Sequence, residues 1–484
     1  MQCEQVAAGM YFLARYFCAD ATDLHKVSKS LDSWRQMRAP IGVIGVGASL
    51  VNRDRGHVHL LVYILNRRNK MGDLYAFDLT VASLAVLHTL AFAICFYKST
   101  YDISQANPPM VTTDKCTVII PCYLPNEHNI IVDTIERIMN EEAIERIIMV
   151  YNTPRSMLLE DTLSKMQTAR FQSYHVVEST SRAENVMFAL HECDIVTNTV
   201  LLLDADHWSS PGAIRMLLAE YEQRDESVVC IQGILTVRGN GCFARVLSGF
   251  AFLTGVYMQP AMRVLTGTAL FTGGAAIWST DALRRLKMRP LLSEDIDLTF
   301  RTVKEGFRIK ETIYAQFSEL EPASLLEFLR QRLRWTTGFE ECRRMHWCHF
   351  LRKGSALFLI FVFMDASYAL TLINIFHMTT TIALGHVPGV WIAIPLSCLG
   401  LLFFMMMALT LSVVNKTENM RRHAKSILFG LAIAPVYMVV QTFLFVFAYI
   451  RTPCPMRSHI TRRNTRTIEK TSAMSACAVA MNET

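Results

Sequence analysis

From Lys115 to about Pro322 the chain alternates between short apolar, β-branched runs and stretches whose apolar side chains recur every three or four residues. The first kind predicts strands at Thr117 to Ile120, Arg146 to Tyr151, Thr199 to Leu203 and Val228 to Gln232. The second predicts helices at Ile130 to Ile138, Glu184 to Leu190 and Pro211 to Tyr221. Such alternation is expected of an α/β domain around a mostly parallel sheet, and about 200 residues are enough for it to bury its own core.

After Glu321 the pattern changes. Leu325, Leu326, Leu329, Leu333 and Trp335 interleave with Arg330, Arg332 and Arg334, and Arg343 and Arg344 follow, which predicts a helix lying along a bilayer surface. Apolar segments at Leu357 to Phe376, Val390 to Val414 and Ile427 to Ile450 are each long enough for the roughly 20 residues a membrane helix needs. Pro435 predicts a kink in the last of them. Upstream, Tyr75 to Tyr97 reads as a span despite Asp78, whereas residues 39–66 fit either a broken span or an interfacial helix. The expected organisation is an N-terminal region with one or two transmembrane helices (1–114), the α/β domain (115–320), amphipathic interface helices (321–354), a transmembrane region (355–450) and a basic tail expected to be disordered (451–484).

Composition agrees with a protein divided between water and bilayer, since 51% of the 484 residues are hydrophobic and 19% charged. The net charge of +6 is modest, and the basic residues cluster beside apolar segments, which favours membrane lipids as a partner and argues against nucleic acid. The 13 cysteines form no CxxC pair, as expected of a domain in a reducing compartment. Glu4 and the lack of a compact apolar core predict no cleaved signal peptide. Basic residues before the first C-terminal span and between the second and third place both loops, and with them the α/β domain, in the cytosol. The basic tail then ends on the wrong side, so either one segment fails to cross or residues 377–389 contain another crossing. Asn415-Lys416-Thr417 is a glycosylation sequon in a loop predicted to be cytosolic.

Three constellations carry candidate chemistry. Asp204 and Asp206 follow the apolar strand Leu201-Leu202-Leu203, and residues two apart in extended chain face the same way. Alone, this motif commonly marks a solvated turn; after a buried strand it suits Mg2+ or Mn2+ held jointly with a diphosphate. In Ser293-Glu294-Asp295-Ile296-Asp297, Asp295 is the candidate general base for an attacking hydroxyl, with Glu294 beside it. These acids also suit a helix N-terminus, and both readings can hold. Gln331, Arg334 and Trp335 share one helical face, where Arg and Gln can hold a diphosphate and the indole can face a sugar ring. An interfacial helix with Arg and Trp at headgroup level is the simpler account of that segment taken alone. Cys342, His346, Cys348 and His349 fit no common zinc spacing.

The order DxD, Ser-Glu-Asp, QxxRW beside membrane spans resembles the membrane-integrated family 2 glycosyltransferases: cellulose, chitin and hyaluronan synthases and their relatives. The resemblance runs from about residue 75 to 450. Ile119-Ile120-Pro121-Cys122-Tyr123 with Asn126-Glu127 resembles the family's first strand and nucleotide loop, Arg182-Ala183-Glu184-Asn185 its Lys-Ala-Glu-Asn segment, and Phe271 to Ala276 its acceptor-side loop. The resemblance implies a GT-A fold, a UDP-sugar donor and inversion at the anomeric carbon. It further implies nucleotide contacts at Pro121, Tyr123, Glu127, Asn152, Arg182 and Asp204, a metal at Asp204 and Asp206, and an acceptor and diphosphate seat at Gln331, Arg334 and Trp335. Two positions depart from the family: Asn152 stands where an Asp usually contacts the nucleoside, and Arg182 replaces a lysine.

The expected function is a processive synthase that extends a polysaccharide and exports it, with a cytosolic catalytic domain and the plasma membrane as its location. A single-addition enzyme acting on a lipid, similar to ceramide glucosyltransferases, is the alternative. A catalytically dead scaffold is the third.

Overall fold

The computed structural model describes residues 112–238, 259–320, 322, 324–383, 397 and 439–450, together with parts of 79–110. The chain divides into two units, 1–80 and 81–484, and every element named below lies in the second. In chain order these are β1 (Cys116–Tyr123), α1 (Leu124–Glu127), α2 (Ile131–Met139), β2 (Ile144–Asn152), α3 (Leu158–Met166) and β3 (Phe171–His175). Then come α4 (Arg182–Glu192), β4 (Thr199–Leu202), β5 (Trp208–Ser209), α5 (Ala213–Glu222), β6 (Val228–Arg238) and α6 (Gln259–Thr266). The series closes with β7 (Ala276–Ser279), α7 (Thr280–Leu286), α8 (Glu294–Lys304), β8 (Arg308–Leu320), α9 (Leu325–Arg352) and α10 (Ala356–Ala383).

Among the described residues eight strands form one sheet in the order β3-β2-β1-β4-β7-β6-β8-β5. The half containing β3, β2, β1 and β4 is wholly parallel. β7 runs antiparallel to both β4 and β6, while β6 and β8 are parallel again. The expected α/β architecture is therefore present, with the reversed β7 at its centre.

The continuous apolar runs of the strands follow from helices on both faces. Val118 and Ile120 of β1 pack with Ile131, Ile135 and Leu217 on one side, while Ile119 packs with Val186, Leu190 and Leu298 on the other. Successive side chains of a strand point to opposite faces, so a sheet covered on both sides needs apolar residues at every position. The predicted strands and helices all appear, with small shifts at their ends. Parallel pairing brings the carboxyl ends of β1, β2 and β4 to one edge, the edge where ligands bind in open sheets of this kind.

The amphipathic stretch forms the single long helix α9, capped by Ser324, whose Oγ accepts from the Glu327 backbone N–H at 3.2 Å. It is tied to α10 by Arg343, which bonds Asp365 at 2.6 Å, and Gln441 donates to the Thr336 hydroxyl at 3.0 Å. The predicted span at 357–376 falls on α10, several of whose side chains are outside the description. The predicted spans at 75–97, 390–414 and 427–450 lie wholly or partly outside the described residues, as do the basic tail and Asn415. Among the described residues no helix is long and apolar enough to cross a membrane.

Where β6 meets β8, a side chain at Gly233 would sit 2.6 Å from the Ala315 carbonyl oxygen and 2.8 Å from the Phe317 ring. Gly233→Ala is therefore expected to destabilise the domain by about 1–3 kcal/mol, measurable as a lowered midpoint in chemical denaturation.

Candidate functional site

The turn after β4 carries the first pair of carboxylates. Leu203 N–H still donates to Ile119 O at 3.1 Å, which extends the sheet geometry one residue past the strand before the chain turns at Asp204. Three contacts hold that turn from outside: Thr134 donates its hydroxyl to Ala205 O at 2.7 Å, Trp208 Nε1 donates to Thr134 at 3.1 Å, and Arg238 Nη2 donates to Asp206 O at 2.8 Å. The guanidiniums of Arg137 and Arg238 lie 3.7 and 3.5 Å from the Trp208 ring centroid. None of these holding residues belonged to a sequence motif.

Arg182 joins the site together. It opens α4, where the Ser181 hydroxyl accepts from Glu184 N–H and the Glu184 carboxylate accepts from Thr180 N–H at 2.7 Å. From there its guanidinium donates to Asp204 Oδ1 at 2.8 Å, to Glu294 Oε1 at 3.3 Å and to the Gly273 carbonyl at 2.5 Å. One side chain thus draws the DxD turn, the Glu294-Asp295 helix start and the loop before β7 to a common point. That loop approaches so closely that a Cβ at Gly274 would lie 2.5 Å from His207 Cε1 and 3.0 Å from Asp204 Oδ2. Gly273 has φ +100° and Ala275, a non-glycine, φ +54°. The loop is held by Gln232, which accepts from Thr272 N–H at 3.0 Å, and by Thr299, which accepts from Phe271 N–H at 2.9 Å and donates to the Asp295 carbonyl.

Charge is unevenly balanced here. Burial opposes ionisation of Asp204, but Arg182 and His207 hold its carboxyl below the usual range. Glu127 is pushed up to about 7, by burial first and then by the charges of Asp206 and Asp204. Glu319 is raised by burial and by the same two aspartates, against His207 and Arg332. Asp295 is raised to about 7, by burial first and then by the charge of Glu294, with Arg182 opposing. His207 is nearly enclosed, its Nε2 3.8–3.9 Å from oxygens of Asp204, Asp206 and Glu319, and its Nδ1 has no hydrogen-bond partner among the described residues.

Among the described residues no group of three or more His, Cys, Asp or Glu side chains is arranged to hold a metal ion by itself. The chemistry of Asp204 and Asp206 nevertheless fits a hard divalent cation shared with substrate oxygens: both supply carboxylate oxygen, and their charge is uncompensated enough to raise Glu127 and Glu319.

The other sequence candidates divide into two groups. Pro121 is buried within β1, while Tyr123 and Glu127 stand at its exit beside the DxD turn. Asn152 ends β2 as anticipated, but its amide is already engaged, donating to Ser179 O at 3.0 Å and accepting from Asn185 at 3.3 Å. In α9, Gln331 is half-buried and Arg334 and Trp335 are exposed; the cation above the Trp335 ring is Arg332, at 4.3 Å. It is also Arg332, rather than Arg334, whose charge reaches Glu319. Cys342 and His346 face the Ser293–Asp297 segment.

Removing the common bridge is expected to be costly. Arg182→Met leaves Asp204 and Glu294 without their partner and should destabilise the fold by about 2 kcal/mol, less than a fully enclosed pair because both ends retain some solvent; urea titration measures it. Asp295 offers a stability test of its own, since its raised pKa means that the folded state holds the proton more tightly. Stability contributed by this group is present below the ordinary pKa of 3.8 and is lost as pH rises through about 7. Asp295→Asn is expected to remove that loss, so its melting temperature should exceed the native value at pH 8 and converge with it near pH 4.

Comparison with known proteins finds likenesses of three kinds. Residues 114–338 match the model of a glycosyltransferase-like family 2. An uncharacterized glycosyltransferase, YaiP, of Escherichia coli (strain K12) is 26% identical over 237 residues, covering 47% of this chain and 57% of that protein. The chain thus spans little more than half the length of this curated relative. Among solved structures, the mannosyltransferase PcManGT from Pyrobaculum calidifontis in complex with GDP-Man and Mn2+ aligns at 15% identity with a TM-score of 0.48, over 76% of this chain and 99% of that one.

Proposed function

We propose that the glycosyltransferase-like family 2 domain at residues 114–338 transfers a sugar from a UDP-sugar to the hydroxyl of a growing polysaccharide, with inversion at the anomeric carbon. The observation that carries this reading is the Arg182 bridge, which sets the donor-side Asp204 and the base-side Glu294 on one guanidinium. In this reading Pro121, Tyr123 and Glu127 line the nucleotide seat, with Asn152 acting from behind through Asn185 and Ser179. Asp204 and Asp206 would hold Mg2+ or Mn2+, which when bound neutralises the diphosphate.

The chemistry asks one thing of Asp295. As the acceptor oxygen bonds to the anomeric carbon and the bond from that carbon to the diphosphate breaks, the acceptor must lose a proton, and the nucleoside diphosphate departs with the electron pair. A carboxylate titrating near 7 is matched to taking that proton at neutral pH. Gly273 places its backbone so near that a Cβ there would be 3.6 Å from Asp295 Oδ2, so the loop from Phe271 to Ala276 forms the wall against which an acceptor would be held. Gln331, Arg334 and Trp335 would meet the acceptor end and diphosphate from α9, with Arg332 a closer cation than Arg334.

Export through a multi-span membrane region, a cytosolic catalytic domain and a plasma-membrane location complete the proposal, on the strength of the apolar C-terminal segments and flanking basic residues.

The test is incubation of membranes carrying the full chain with each labelled UDP-sugar and GDP-mannose, with Mg2+ or Mn2+, followed by sizing of the product. High-mass product that disappears in Asp295→Asn supports the synthase, and a small solvent-extractable product replaces it with transfer to a lipid. No transfer from any donor overturns the enzymatic reading in favour of a scaffold. For the active enzyme, Asp295→Asn is expected to lower kcat by about 10²–10⁴-fold. The native pH profile should fall on the acid side of about 7, as Asp295 takes up its proton among Glu294, Arg182 and Cys342.

A further inference from the structure

Gly338, Cys342 and His346 follow one another at four-residue intervals along α9 and so share one face of the helix. All three are buried, and all three meet the short segment that presents Asp295. At Gly338 the helix approaches so closely that a Cβ would overlap the Ser293 hydroxyl and stand 2.8 Å from the Ser293 Cβ. One turn on, the Cys342 thiol donates to the Ser293 carbonyl at 3.3 Å. A turn further, His346 Nε2 lies 2.8 Å from Asp297 Oδ1, and burial of both groups leaves water no share in that contact.

Asp295 is the middle residue between these two anchors. Ser293 is gripped on one side of it and Asp297 on the other, where Arg301 Nε adds a bond to Asp297 Oδ2 at 2.8 Å. On the substrate side Arg182 bonds Glu294. The segment is therefore held in front by the donor-site arginine and behind by α9. We infer that the Gly338–Cys342–His346 face of α9 positions the Asp295 carboxylate for proton transfer, acting through Ser293 and Asp297. None of the three touches the reacting atoms. The inference rests on the reading of Asp295 as the base, and it adds that the helix bearing Gln331, Arg334 and Trp335 and the base move as one piece. A displacement of about 1 Å at a reacting group can cost about 10²-fold in rate, so a seam of this tightness has leverage on turnover.

The test measures kcat and donor KM on the full-length protein in membranes for four variants beside Asp295→Asn, with thermal unfolding of each. Gly338→Ala is expected to lower kcat by about 10–100-fold with donor KM within about twofold of native. Adding Ser293→Gly removes the overlapping atoms and should restore most of the lost kcat. His346→Ala should lower kcat in the same manner, and His346→Gln, whose amide can still donate to Asp297, should recover it. If Gly338→Ala unfolds, the two His346 variants decide. Native kcat in Gly338→Ala and His346→Ala, or losses that follow the melting temperature and are not rescued, would overturn the positioning role while an inactive Asp295→Asn leaves the base in place. Native kcat in Asp295→Asn would overturn both.

Discussion

One guanidinium organises this site. Arg182 reaches residues 22, 91 and 112 positions away in sequence and holds each of them by a hydrogen bond to its own guanidinium. Burial opposes its charge, but the carboxylates of Asp204, Glu294 and Asp295 outweigh that opposition and keep it firmly protonated. A lysine at this position could offer only a point charge on a flexible stem, whereas the planar fork can serve two carboxylates and a carbonyl from one fixed orientation. The distances between the DxD turn, the Glu294-Asp295 pair and the Gly273 loop all depend on that orientation.

The bridge also explains why charge is distributed as it is. Arg182 satisfies Asp204 and leaves the surplus with Asp206, Glu127 and Glu319, where burial and mutual repulsion raise the last two. The same burial, with Glu294 close by, raises Asp295. Two carboxylates that share the charge of one guanidinium are thereby driven in different directions, Asp204 below the usual carboxylate range and Asp295 up to about 7. That separation is what a site needs if one carboxylate is to sit beside a cation and another is to accept a proton.

Helix α9 links this chemistry to the rest of the chain. Its N-terminal turns carry Gln331, Arg332 and Trp335, its middle turns hold Ser293 and Asp297, and Arg343 binds Asp365 of α10. These contacts tie the Ser293–Asp297 segment and α10 to one continuous helix.

Periodicity along the chain determined the α/β class, the four principal strands, three of the helices beneath and above them, and the long amphipathic helix. Those features depend on local alternation of apolar and polar residues, which is written in consecutive positions. Residue type and order likewise singled out Asp204, Asp206, Asp295 and Arg182 as candidates, and the fold sets Arg182 against Asp204 and Glu294. Only the tertiary structure decided the antiparallel insertion of β7, because strand direction depends on partners that pair across long separations rather than on the strand's own residues. It alone showed that Asn152 is engaged by Asn185, that the charge of Arg332 bears on Glu319, and that His207, Gln232 and Thr299 pack around the Asp204 turn and the loop before β7. His346 and Asp297 are 49 residues apart in the chain and 2.8 Å apart in space; a single polar residue in a sequence carries no mark of its partner, because the bond is specified by packing that only the folded chain completes.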